Sequence, residues 1–256
     1  MAPELAPEST PGSVADAEGV APGASRSFVL VHGIGMSHRY LDRLATELGA
    51  HGDTHSFDLP GFGGTATPTR ALSVEDHARL IGAVLDRIGV RDAVLIGHSM
   101  GAQFVTELAR TRPELASGLV LMAPVTDPER ATALTQARDL ARDSLRESPL
   151  GNLLTMGAYV RCGPRWFLAT LPSMLNYRTD IALAEVGVPT LVLRGENDPV
   201  ARAGWCSALA ASAPHGEMRE IAGKRHLVHF TAADQTAAAI IGFLQRAAHV
   251  EPEVVP

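Results

Sequence analysis

Two periods alternate along the chain from Ser27 onward. Phe28-Val29-Leu30-Val31 is a short, continuous apolar run ending in His32-Gly33, the pattern of a strand buried on both faces. Leu41, Leu44, Ala45 and Leu48 then recur at helical spacing within residues 38–48. A second strand is predicted over 54–57, closed by the turn-rich run Asp58-Leu59-Pro60-Gly61-Phe62-Gly63-Gly64. Ser73, with Asp76 three residues later, opens another predicted helix. Strands follow over 93–96 and 118–122, with a helix from Ser99 to about Arg110 between them. After Ala123-Pro124 the alternation stops, and residues 126–182 read as helix-prone. It resumes with a strand over 189–193, a helix near 201–211, a strand near 217–221 and a last helix over 232–246. Strands separated by helices imply right-handed βαβ crossovers and therefore an α/β fold with a mostly parallel sheet. The interruption at 126–182 is an insertion lying over one end of that sheet.

Composition narrows the class. Of 256 residues, 46% are hydrophobic, enough for one well-buried core. A net charge of −6 without a Lys/Arg-rich stretch argues against nucleic acid as a partner and for a small molecule. The ten histidines and two cysteines, Cys162 and Cys206, form no metal-ligand spacing, so neither metal nor cofactor is expected and both thiols read as free. Residues 1–26 lack a basic start and a continuous apolar core, so they are read as a disordered segment rather than a leader; 249–256 is read as a disordered tail. No membrane span is predicted, and a cytoplasmic location follows by elimination.

The chemistry begins at Gly97-His98-Ser99-Met100-Gly101. GxSxG between a strand and a helix is the nucleophile-elbow arrangement, in which the serine hydroxyl projects from the carboxyl edge of the sheet. Without that context it would be an ordinary tight turn. The Met100 N–H, at the start of the helix, is placed to meet a developing oxyanion. His32-Gly33-Ile34-Gly35, directly after the first strand, offers the Ile34 N–H as a second donor, while His32 is read as bracing the loop. A serine hydroxyl needs a base, and the base an orienting acid. Asp198, in Gly195-Glu196-Asn197-Asp198-Pro199 after the 189–193 strand, is the candidate acid, with Glu196 and Asp127 behind it. His226, in Gly223-Lys224-Arg225-His226-Leu227-Val228-His229, is the candidate base, ahead of His229.

In this order the strand-HGxG start, the Asp-Leu-Pro-Gly loop, GHSMG, the Gly-x-x-Asp-Pro turn and the late histidine resemble the α/β-hydrolase superfamily from about Ser27 to Leu244. The resemblance implies a triad of Ser99, Asp198 and His226, an oxyanion hole from the Ile34 and Met100 N–H groups, and no cofactor. It also implies a helical cap at 126–182 set into a core of 27–125 and 183–248. Three features depart from the common pattern. The region before the first strand is short and Pro/Gly-rich, so the family's opening β-hairpin is expected to be missing or rudimentary, with a sheet edge uncovered. The loop before His226 is bulkier and more cationic than the Gly-x-Gly-His of many relatives. The elbow carries Ser rather than the Asp of haloalkane dehalogenases and epoxide hydrolases.

The expected activity is two-step acyl transfer on a small, hydrophobic carboxylester, lactone or thioester. A carbon–carbon bond hydrolase, an acyltransferase, or a cofactor-free haloperoxidase would use the same triad, and a non-catalytic ligand-binding module is the reading from another class. Within the cap, most apolar residues from Leu150 to Leu175 are expected to pack the segment and a minority to line a pocket. The run Arg138, Asp139, Arg142, Asp143, Arg146, Glu147 reads as a solvated helix face with spaced ion pairs, and Arg161 and Arg165 as a lesser candidate for holding a substrate carboxylate.

Overall fold

The computed structural model describes residues 26–249. Strands β1 (Ser27–Val31), β2 (Asp53–Ser56), β3 (Ala93–His98), β4 (Ala116–Met122), β5 (Thr190–Gly195) and β6 (Gly216–Ile221) form one parallel sheet. Its order is β2-β1-β3-β4-β5-β6. Side chains alternate across it. Val29, Val31, Leu95 and Leu121 join one apolar layer with helices α2 (Val74–Ile88), α3 (Gly101–Thr111) and α8 (Ala203–Ser212). Phe28, Leu30, Ile96 and Met122 join the opposite layer with α1 (Asp42–Gly49) and α10 (Ala233–His249). Burial on both faces explains why the strands read as unbroken apolar runs.

Local signals account for most boundaries. The Ser73 hydroxyl accepts the Asp76 N–H at 3.1 Å while an Asp76 carboxylate oxygen accepts the Ser73 N–H at 3.1 Å, a reciprocal cap on α2. Helix α3 begins at Gly101 rather than at Ser99, because Ser99 occupies the turn itself. The last helix is broken at Ala232, so a short α9 (Val228–Thr231) precedes α10. Between β4 and β5 run α4 (Ala133–Ser144), α5 (Pro149–Cys162), α6 (Pro164–Asn176) and α7 (Thr179–Leu183). Ser148 caps α5 through the Gly151 N–H, and Gly163, at φ 75°, separates α5 from α6.

β2 forms one edge of the sheet, and among the described residues no strand precedes β1. The expected disordered ends fall outside the described residues except for Arg26, whose carbonyl accepts the Asp53 N–H at 2.9 Å, and His249, the last residue of α10. Among the described residues no helix is long and apolar enough to cross a membrane.

The strand order fixes where a ligand can sit. The chain leaves β1 toward β2 on one side and, from β3, proceeds toward β4 on the other. The carboxyl ends of β1 and β3 therefore flank the crevice where the order reverses, the usual ligand position in an open parallel sheet.

Candidate active site

Ser99 stands at the carboxyl end of β3 with φ of +56°, a conformation a β-carbon normally disfavours. Its N–H donates to the Met122 carbonyl at 2.9 Å, and its carbonyl accepts the Ala102 N–H at 3.1 Å, so the turn is pinned from both sides. The flanking glycines are obligatory. A β-carbon on Gly97 would lie 2.3 Å from the Gly101 oxygen, and one on Gly101 would lie 2.3 Å from the Val31 oxygen. Gly33 is less tightly confined, since a β-carbon there would lie 3.0 Å from the Ser99 β-carbon. The Ile34 and Met100 N–H groups donate to no acceptor among the described residues.

Asp198 and His226 meet across the loops after β5 and β6. His226 Nδ1 lies 2.8 Å from Asp198 Oδ2, both side chains being buried. The other carboxylate oxygen accepts the Val200 and Ala201 N–H groups at 2.7 and 3.0 Å. The two loops are joined by backbone. The Asn197 N–H donates to the Lys224 carbonyl at 2.8 Å, and a β-carbon on Gly195 would strike the Arg225 oxygen at 2.3 Å.

Burial is the largest single influence and opposes charge on both groups, but the attraction between them and the hydrogen bonds to them together outweigh it. The carboxyl of Asp198 is thereby held below its ordinary pKa, helped by the hydrogen bonds from His226, Ala201 and Val200. His226 is held above 6.5 by Asp198 first, then by the negative charges of Asp143 and Glu147. Its Nε2 makes no hydrogen bond to protein, and no hydrogen bond joins it to Ser99 among the described residues. Both residues line one cavity of about 330 Å³. An imidazole held at Nδ1 by a carboxylate has Nε2 left to take up a proton.

The lesser candidates go elsewhere. Glu196 accepts the Gly223 N–H at 2.7 Å, and Asp127 accepts the Glu129 N–H at 3.0 Å; neither carboxylate reaches His226. His229 is buried with both ring nitrogens unpartnered and stacks on Tyr40 and His98. His32 accepts the Leu59 N–H at Nε2 and sits 2.8 Å from the Gly33 carbonyl at Nδ1, which is the bracing expected of it; burial lowers its pKa to about 4. The cationic loop before His226 is accommodated by pairing: Lys224 donates to the Thr231 carbonyl and Arg225 to Asp143.

Several residues at the site escape a reading of the chain alone. Arg194, buried at the end of β5, donates to the carbonyls of Ala201, Glu196 and Asp198 and pairs with Glu220, holding the Asp198 loop in shape. An arginine closing the apolar run Leu191-Val192-Leu193 was the available signal. His98 Nε2 lies 3.0 Å from the His226 carbonyl and its Nδ1 lies 3.1 Å from the Tyr40 hydroxyl. With the Nε2–H donating and Nδ1 accepting from Tyr40, this chain of bonds fixes the backbone of His226.

The run 138–147 is a correction. Asp139 and Asp143 are buried, not solvated, and pair with Arg130 and Arg225 outside their own helix. Asp143 and Glu147 line the cavity beside His226, and burial, with neighbouring negative charge, raises the carboxyl of Asp143. Among the described residues no Arg or Lys lines that cavity; Arg161 and Arg165 are exposed and away from it. The remaining wall is mainly apolar, with Leu140, Tyr159, Phe167, Leu171 and Met174 supplied by the insertion.

At the carboxyl edge of a parallel α/β sheet, then, a buried carboxylate–imidazole pair and a serine at positive φ come together, with His226 and Ser99 lining one cavity. A model of the alpha/beta hydrolase family matches residues 28–239, and the chain belongs to that family. The chain is 29% identical over 250 residues to a pimeloyl-[acyl-carrier protein] methyl ester esterase of Xanthomonas campestris, covering 87% of this chain and 96% of the relative. It is 25% identical over 241 residues to the (E)-2-((N-methylformamido)methylene)succinate hydrolase of Acinetobacter baylyi, covering 87% and 92%. In fold it is similar to a thermophilic esterase from Thermogutta terrifontis, with a TM-score of 0.75 at 21% identity over 88% of this chain and 91% of the other.

Proposed function

We propose that the chain hydrolyses an ester-type bond (a carboxylester, lactone or thioester) of a small substrate with a hydrophobic acyl part, through an acyl-enzyme on Ser99. The observation that carries this reading is the 2.8 Å Asp198–His226 pair opening on the same cavity as Ser99. His226 Nε2 takes the Ser99 proton as the oxygen attacks the carbonyl carbon, and Asp198 holds the imidazolium that forms. The Ile34 and Met100 N–H groups receive the oxyanion. His226 then protonates the leaving oxygen or sulfur. Water, deprotonated by the same nitrogen, adds to the acyl carbon, and collapse frees Ser99 and the acid.

Residues 126–182 act as a cap over the core of 27–125 and 183–248, since their side chains supply much of the apolar wall. Glu147 and Asp143, the latter paired with Arg225, put carboxylates on the cavity wall. With no Arg or Lys lining the cavity among the described residues, they disfavour a carboxylate on the part of the substrate held there. The esterase named among the relatives supports ester chemistry. Two free thiols fit a reducing, cytoplasmic setting.

The test is hydrolysis of short- and medium-chain p-nitrophenyl esters by wild type and Ser99→Ala. Loss of about 10⁴-fold or more in kcat, with loss of fluorophosphonate labelling, is expected. Equal activity in the two proteins would remove Ser99 from the mechanism.

A further inference from the structure

A second cavity, of about 290 Å³, lies on the far side of α4 from the catalytic one. Ala137, Leu140, Ala141 and Ser144 of α4 face the catalytic cavity, while Arg138, Asp139 and Arg142 face this cleft. Six arginines line it: Arg130, Arg138, Arg142 and Arg146 from the insertion, and Arg202 and Arg225 from the loops that follow β5 and β6. Arg130 and Arg225 are matched by Asp139 and Asp143. The other four have no carboxylate partner among the described residues. In a chain of net charge −6 this is a strong local reversal of sign.

Such a cluster attracts an anion of more than one charge, and planar guanidiniums match phosphate oxygens in bidentate fashion. The catalytic cavity, lined by Asp143 and Glu147 and, among the described residues, by no Arg or Lys, disfavours the same anion. The cleft also touches both catalytic loops. Asn197 and Pro199 flank Asp198, and Arg225 precedes His226. Without a ligand, the α4 guanidiniums face like charges on the core. The boundary is tied by the Arg225–Asp143 pair with two long hydrogen bonds, Arg225 to the Arg142 carbonyl and the Leu227 N–H to Glu147.

We propose that this cleft is a phosphate-binding site that clamps α4 to the loops bearing Asp198 and His226. The phosphate is either free in solution or carried by the substrate. Binding itself is independent of the catalytic reading; the effect on rate rests on it.

The experiment is calorimetric titration of the full chain with inorganic diphosphate at fixed ionic strength. The proteins are wild type, the double variant Arg142→Gln/Arg202→Gln, and Arg87→Gln, an exposed α2 arginine outside the cleft. One saturable site is expected, weakened about tenfold or more in the double variant and unchanged in Arg87→Gln. Absence of saturable binding, or equal weakening by Arg87→Gln, would overturn the site. Ser99→Ala binds diphosphate like wild type, so failure of the nucleophile reading leaves this result standing. Kinetics then separates the sources. A diphosphate-dependent rise in kcat/KM for an uncharged ester identifies a free anion. Competition confined to a phosphate-bearing ester identifies a phosphate on the substrate. Binding that alters neither rate would overturn the clamp.

Discussion

Strand β3 and helix α5 are both rich in apolar residues, yet they use them in opposite ways. All six residues of β3 are buried, and Leu95 and Ile96 point into different layers of the core. Of the fourteen residues of α5, only Gly151 and Ala158 are buried, while Leu153, Met156 and Val160 are 69%, 63% and 74% exposed. A central strand of a doubly covered sheet has no solvent face, so an apolar side chain there has one environment available. A helix of the insertion has a cavity on one side and water on the other. Its apolar residues are divided between lining and surface by a geometry its own periodicity does not encode.

The largest effect expected from the sheet side is Asp198→Asn. It keeps the shape but removes the charge proposed to orient and stabilise His226, so kcat for ester hydrolysis falls about 10⁴-fold. The urea midpoint at neutral pH also drops, because a carboxylate held below its ordinary pKa contributes stability there. Stopped-assay kinetics beside a urea curve checks both halves. Leu95→Ala is next: a fully buried strand residue, its loss costs about 2–5 kcal/mol, read as a lowered urea midpoint at constant slope.

Asp143→Asn addresses the other region through its charge. Asp143 helps raise the pKa of His226, and in the proposed mechanism that imidazole must be neutral to accept the Ser99 proton. In wild type, kcat/KM therefore climbs with pH through an apparent pKa above 6.5, and the variant moves that limb toward lower pH. A limb left in place, or moved upward, would detach Asp143 from the base. Smallest of all is Leu153→Ser on the exposed side of α5, expected within about 0.5 kcal/mol of wild type. A loss matching that of Leu95→Ala would abolish the contrast between the two elements.

The same contrast explains what was legible in the chain. Sheet strands, the elbow and the pairing of a late aspartate with a late histidine are local or ordered signals, and each strand carries its burial in its own residues. The α2 cap could be read from Ser73 and Asp76 because both partners lie within one turn. Asp143 could not be placed, because its partner is Arg225 and the two are brought together only by the fold. The Tyr40–His98–His226 chain is likewise formed by side chains from three separate segments. Arg194 was hidden for a related reason: its acceptors are mostly carbonyl groups, which every residue has and no sequence pattern marks.

One property of the sheet has a bearing on how such a protein changes over time. Every strand ends on the same edge, and the groups proposed for the reaction hang from β1, β3, β5 and β6. The insertion hangs from β4 alone. Rewriting 126–182 therefore alters the wall of the cavity while the strand ends that carry Ser99, Asp198 and His226 stay in the sheet. The separation is incomplete at Asp143 and Glu147, which touch the residues around His226 through Arg225 and Leu227, so those two positions tie drift in the segment to the proposed base. A graft of this segment between relatives of the same fold is the natural unit of exchange.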